Sequence, residues 1–341
     1  MIKVSFVVNV FNQANFVEPV IESLKKLSGD FRKEFIIVND GSTDDSLSAI
    51  KAFSSDLPNT TIISKDKRGP STFINEGILL ASGSHIKFLD GASIIDPKGF
   101  EYLLELMEKN HQKVAFGLDA SYSFNDQNLL TQNVNSMLYA NLNDKYEASQ
   151  NLYSNFVTTL NLNARTTSYQ KDNNSGHVRT RIIDSPLLEL SKSSKIGLVG
   201  DPTSMISRGL LDEISKFDNE IYQRTFSLSL RCASKAKFIQ AKKIICYRPS
   251  IAKNVTKTSK VPEYIEFLLA VKNLISFDTE YVRRNIHDIY KLVASRCWYV
   301  DKRKYLELLY YNTKTFYKNQ DPIKDLKQFI DYSINSKNQI N

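Results

Sequence analysis

Two carboxylates stand where apolar runs break into turn chemistry. Asp40 follows the run 34–38 and opens Asp-Gly-Ser-Thr-Asp-Asp, while Asp90 ends the run 85–89 before Gly91, Ala92 and Ser93. A carboxylate fixed at the end of a buried strand can hold a metal ion or accept hydrogen bonds from a ribose. Metal sites usually offer a second carboxylate close by, and positions 91–93 supply none. Asn9 and Asn12 bring amides to a comparable point after the run 3–10. The four histidines add little: His85 reads as a satisfied core histidine, His111 and His287 as helix-surface residues, and His177 as part of a polar loop. No His/Asp cluster has metal-ligand spacing.

These groups need a frame. The apolar, β-branched runs 3–10, 34–38, 60–64 and 85–89 read as strands, and Val17, Val20, Ile21, Leu24 and Leu27 recur at helical spacing. Gly29-Asp30 closes that helix, and further helices are expected over 46–53 and 73–81. Strands alternating with helices over the first ninety residues imply a parallel sheet covered on both faces. Ligands of such sheets bind beyond the carboxyl ends of the strands, so Asn9–Asn12, Asp40 and Asp90 should converge on one crevice. Residues 119–180 are polar and weakly periodic, and read as an excursion over a site. Helices follow at 185–192, 208–216 and 226–233, with strands at 203–207 and 238–241. From 261 to about 333 the text is helical, with Phe267, Leu268, Val271, Leu274 and Ile275 on one face.

Composition narrows the class. The 341 residues carry a formal charge of +8, and 260–341 hold 14 Lys/Arg against 10 Asp/Glu, so half of the excess sits in the last quarter. That surplus reads as a solvated helical surface, with anionic-membrane contact as the other reading. No nucleic-acid-binding motif accompanies it, and nucleic acid is not an expected partner. No run of eighteen apolar residues occurs, which argues against a transmembrane helix. Asn9, Asn12 and Gln13 interrupt the apolar N-terminus, so it reads as a first strand rather than a secretory segment. Cys232, Cys246 and Cys297 lie far apart and read as buried thiols of a reducing cytoplasm.

The order of these motifs resembles the family 2 glycosyltransferases, which have the GT-A fold. VSFVVNVFNQ matches the family's strand-Pro-x-Tyr-Asn opening, and FIIVNDGSTDDS its Val-Asp-Asp-Gly-Ser signature. INEGILLASGSHIKFLDGA matches the stretch that leads to its Asp-x-Asp. Later, SMISRGLLDEISKFD resembles the acceptor-side segment and IICYRPS the late Tyr-Arg element. The resemblance implies a GT-A-like α/β domain over 1–255, with a nucleotide-binding half at 1–115 and an acceptor half at 116–255. A helical C-terminal domain over 256–341 follows. It also implies a nucleotide-sugar donor, expected to be a UDP-sugar. Asp40 would contact the base, Asp90 the ribose or a metal, and Asn12 would line the nucleotide pocket.

Three departures fall on the metal and base machinery. Asp90-Gly91-Ala92 keeps one acid of the Asp-x-Asp, which puts a divalent metal in doubt. Arg224-Thr225-Phe226-Ser227 stands where the family places an acidic pair, and Tyr247-Arg248-Pro249-Ser250 lacks the histidine of the late element. Two accounts remain open. In one, the chain is an inverting, metal-independent enzyme acting on a glycan or lipid-linked acceptor in surface polysaccharide synthesis. Lys67, Arg68, Arg208, Arg231 or Arg248 would then offset the diphosphate charge, and Asp201, Asp218 or Glu220 would act as general base. In the other, the chain is catalytically silent and binds a nucleotide or glycan, or scaffolds an active partner. Expected placement is cytoplasmic, with the basic, aromatic C-terminal helices available to the inner face of a membrane or to a second copy.

Overall fold

The computed structural model describes residues 1–65, 72–122, 178–191, 198–215, 217, 224–249, 263–300, 303, 306, 308, 310 and 321–338. The N-terminal part alternates as its periodicity predicts. Strands β1 (Ile2–Val10), β2 (Phe31–Asp40), β3 (Thr60–Lys65) and β4 (His85–Asp90) are separated by helices α1 (Ala14–Lys25), α2 (Ser46–Phe53) and α3 (Thr72–Leu80). These four strands pair in parallel in the spatial order β3-β2-β1-β4. A crossover through β5 (Ile94–Ile95) and α4 (Pro97–Lys109) then leads to β6 (Val114–Tyr122).

The second half turns the parallel sheet into a mixed one. Here β7 (Thr180–Ile183), α5 (Pro186–Ser191), β8 (Ser204–Ser207), α6 (Arg208–Ile214), α7 (Arg224–Lys235) and β9 (Phe238–Pro249) follow in order. Strand β8 runs antiparallel between β4 and β6, and β9 lies parallel to β6. Strands β5 and β7 pair antiparallel with β9. The chain ends in α8 (Glu263–Phe277), α9 (Thr279–Arg284), α10 (Ile286–Val300) and α11 (Pro322–Asn338).

Each face of the sheet has its own apolar cluster, as side-chain alternation requires. Val4, Phe6, Val8 and Phe35 pack with α1 and α4 on one face. Val7, Ile36, Val38 and Phe88 pack with α3 on the other, in a cluster that continues through α6, α7, α8, α10 and α11. The C-terminal helices thus share the core beneath the sheet. Phe267, Leu268, Val271, Leu274 and Ile275 are buried in it, as their spacing predicts.

Three expectations are corrected. Residues 119–122 continue β6 and do not begin a polar excursion, because they find partners 246–249 on β9. Strand β9 extends to Pro249, far past 241, since Ile245 and Cys246 are buried against the sheet. The C-terminal helical text is divided at Asp278, whose side chain caps α9 by accepting from Tyr281 N, and again at Asn285. Residues 123–177, including His177, lie outside the described residues.

Candidate functional site

The site begins where β1, β2 and β4 end side by side. Asn9 stands level with Val38 on β2 and with Asp90 on β4, and Asp40 lies two residues beyond Val38. With a side-chain period of two, Asp40 and Asp90 therefore share one face of the sheet. Asp40 is 6 % exposed. Asp90 accepts from Ala92 N through Oδ1 at 3.0 Å, which folds the chain back sharply after β4. Gly91 is required there: a Cβ would lie 2.6 Å from Gln13 Oε1 and 2.9 Å from Val10 Cγ2.

The loops above these carboxylates are tied to each other. Asn12 adopts a left-handed conformation, with φ +52°, one that asparagine tolerates better than most residues. Its Oδ1 accepts from Thr43 N at 2.8 Å, and its N–H donates to Ser42 Oγ at 3.1 Å. Ala14 N donates to Asp44 at 3.1 Å and Gln13 N to Ser46 Oγ at 2.9 Å. Burial opposes the charge of Asp44, but bonds from Ser46 and Ala14 outweigh it and hold its carboxyl below the usual range. The turn-rich motif after β2 thus splits its work. Asp40 lies buried on the sheet face it shares with Asp90, while Ser42, Thr43, Asp44 and Ser46 join the β2–α2 loop to the β1–α1 loop.

Within electrostatic reach of Asp90, β9 brings in Arg248. Its Nη2 donates to Asp201 Oδ1, and its Nε lies 3.6 Å from Asp119 Oδ2. Burial alone would favour loss of the proton, yet Asp201, Asp90 and Asp119 hold the guanidinium protonated and raise its pKa. Asp201 occupies a tight turn before β8. Its Oδ1 also accepts from Thr203 N at 3.0 Å and Thr203 Oγ1 at 2.9 Å. Gly200 precedes it with φ +91°, and Val199 N donates to Ser229 Oγ on α7 at 2.8 Å. The turn is thereby tied to the second turn of α7, and a Cβ on Gly200 would lie 3.4 Å from Thr225; the helix's first residues, Arg224-Thr225-Phe226-Ser227, contain no acid.

Among the described residues the donor set here does not fit a divalent cation. Ala92, where a second acid would stand, is buried and apolar, and the nearby carboxylates Asp119 and Asp201 already hold a cationic side chain. Among the described residues no group of three His, Cys, Asp or Glu is arranged to hold a metal ion.

The remaining candidates separate. Lys67, Arg68, Asp218, Glu220 and Ser250 lie outside the described residues. Arg208 is corrected: it sits at the amino end of β4, where its N–H donates to Ser84 O and its Nη1 to Ile78 O, remote from Asp90. Arg231 is 4 % exposed within α7, with Nη1 donating to Ser227 Oγ. Tyr247, neighbour of Arg248, points the other way and donates to Asp96, the N-cap of α4, at 3.2 Å. His85 is buried as expected, 2.9 Å from Glu108. Sequence reasoning missed Asp119, which it placed in a loop, and Lys87, which it passed over as strand interior.

Comparison with known proteins bears on the same elements. Residues 5–161 match the model of the family described as Glycosyl transferase family 2. This part of the chain is a family 2 glycosyltransferase domain. It is 31% identical over 107 residues to the poly-beta-1,6-N-acetyl-D-glucosamine synthase of Staphylococcus epidermidis, covering 31% of this chain and 26% of that protein. It is 28% identical over 113 residues to the uncharacterized glycosyltransferase YibD of Escherichia coli, covering 33% of each. The family 2 matches therefore span a third or less of these relatives' length. Among solved structures, S. aureus TarS 1-349 superposes with a TM-score of 0.55 at 14% identity, covering 98% of this chain and 82% of that one. The same protein in complex with UDP-GlcNAc superposes with a TM-score of 0.50, covering 98% and 92%. At this identity the likeness establishes the GT-A fold, and it extends past the family 2 match into the C-terminal helices.

Proposed function

We propose that the chain transfers a sugar from a nucleotide-sugar donor, a UDP-sugar, to a glycan or lipid-linked acceptor, with inversion and without a divalent metal. The observation that carries this reading is that Asp40 and Asp90 share one sheet face, with Arg248 held by Asp201 within electrostatic reach of Asp90. Asp40 accepts from the base, Asp90 from the ribose hydroxyls, and Asn12 fixes the loop over the nucleotide. Arg248, joined by Arg68, meets the diphosphate. In a single displacement the acceptor oxygen bonds to the anomeric carbon as the bond from that carbon to phosphate oxygen breaks. The electron pair leaves on the diphosphate, and the acceptor proton passes to a carboxylate.

We assign that proton to Asp201, whose turn is tied to α7, the helix whose first residues lack an acid; this supports the reading. The TarS complexes with UDP and UDP-GlcNAc, and the polymer-forming activity named for the staphylococcal relative, agree with a UDP-sugar donor and a role in surface polysaccharide synthesis. No described helix is long and apolar enough to cross a membrane. Exposed Arg283, Arg284 and Tyr310 on the C-terminal helices offer the peripheral membrane contact, or the contact with a second copy, by which such an acceptor is reached.

One observation favours a binding-only protein: Asp201 Oδ1 already accepts from three donors. Turnover of UDP-sugars decides between the two. General-base loss costs about 10²–10⁴-fold, so Asp201→Asn should cut kcat at saturating donor by that factor, over and above any loss of UDP affinity from releasing Arg248. A wild-type chain that binds UDP but turns over no donor would establish the binding-only reading.

A further inference from the structure

Strand β4 carries, three residues before Asp90, a lysine with no exposed surface. Lys87 Nζ donates to the carbonyl oxygens of Pro202 and Ser204, the second at 3.0 Å. Lys87 is also the last β4 residue in register with β8, opposite Met205. Folding has no need of an ammonium at this point. Among the described residues its hydrogen bonds go to carbonyls and not to a carboxylate, and a buried charge held this way costs stability that an apolar side chain of similar length would not. Its explanation lies in what the two carbonyls belong to.

Residues 200–204 form a closed turn. Ser204 N donates to Asp201 O at 2.8 Å, Gly200 N to Ser204 Oγ at 3.0 Å, and Thr203 N to Asp201 Oδ1 at 3.0 Å. Asp201 then binds Arg248. An unbroken chain of hydrogen bonds thus runs from β4, which carries Asp90, through Lys87 and the turn to the Arg248 guanidinium.

We infer that Lys87 is a positioning residue for diphosphate recognition: it locks the 201–204 turn to β4, so that Asp201 presents Arg248 at a set place relative to Asp90. The inference rests on the reading of Arg248 as the diphosphate contact. It assigns a role to a lysine inside the apolar strand, where the substrate never reaches.

The test separates phosphate from nucleoside. The wild-type chain is titrated calorimetrically with UDP, GDP and dTDP; if none binds, the donor reading falls and the inference with it. The diphosphate that binds is then compared with its own nucleoside. Lys87→Met should weaken the diphosphate about tenfold and leave the nucleoside unchanged, because base and ribose meet Asp40 and Asp90 instead. A general folding defect would weaken both alike, and equal loss, or no loss of either, overturns the inference.

The wild-type protein supplies a second measure that needs no variant. Burial pushes Lys87 down to about 8, with Cys246, Asp201 and Arg248 as the charged or titratable groups facing it. Cys246 is pushed up to about 12 and Arg248 stays protonated, so neither changes charge near neutrality. The ratio of diphosphate to nucleoside affinity should fall between about pH 7.5 and 9 as the ammonium loses its proton. A flat ratio would count against Lys87.

Discussion

Asp40 is buried at the end of β2 on the face it shares with Asp90, which is where the proposed contact with the base needs it. Asp40→Ala should weaken UDP binding by about 1–3 kcal/mol, the range for a hydrogen bond with a charged partner, as read by calorimetry on folded protein. An unchanged affinity would remove Asp40 from the pocket. Arg248 supports a second prediction. Since a guanidinium already stands among Asp90, Asp119 and Asp201, EDTA should leave UDP affinity and donor turnover nearly unchanged. Loss with chelator and recovery with Mn²⁺ would show that a metal displaces Arg248. Asp40 and Asp90 were legible in the sequence because each ends an apolar run in turn chemistry. Asp119 and Lys87 were not, because their partners lie 129 and 115 residues away, at Arg248 and Pro202, and only sheet order brings such residues together.

At the scale of elements, the turn before β8 carries the arrangement. Gly200 has φ +91°, and a Cβ there would lie 2.5 Å from Phe217 Cζ. Gly200→Ala should therefore cost at least about 1–3 kcal/mol in chemical denaturation, through a strained backbone and a displaced ring. Gly209 is the control, since a Cβ there meets nothing within 4 Å in the first turn of α6. Gly209→Ala should be neutral or stabilise by up to about 1 kcal/mol. Equal effects at the two glycines would mean that the turn tolerates a side chain and does not fix Asp201. Strand and helix types in the first ninety residues could be read from period alone. The length of β9 could not, because Lys242 and Lys243 interrupt its apolar pattern at a register shift, and pairing with β6 resumes only at Ile244.

Over the whole molecule, the two ends of the sheet respond to opposite ends of the pH scale. Glu34 joins β1, β2 and the start of β4 by accepting from Lys3 Nζ at 2.8 Å, Ser5 Oγ and Ser82 N at 2.8 Å. Burial disfavours its charge, but these donors prevail and bring its carboxyl down to about 2. The unfolded chain takes up that proton first, so stability from Glu34 is present above about pH 4.5 and is lost as pH falls toward 2. Lys87 behaves in the other sense. Its folded value, about 8, lies below the ordinary 10.5, so the buried ammonium is a full penalty below pH 8, and relief grows as pH rises toward 10.5. That relief is on the order of 3 kcal/mol for a wholly buried group. Urea unfolding across the range should thus show an acid loss that Glu34→Gln diminishes and an alkaline gain that Lys87→Met abolishes. Lys87→Met should also be the more stable protein at pH 7, since it removes the charge that the fold has to bury. A variant destabilised at every pH would mean that the ammonium holds the sheet itself together and does not merely place the turn.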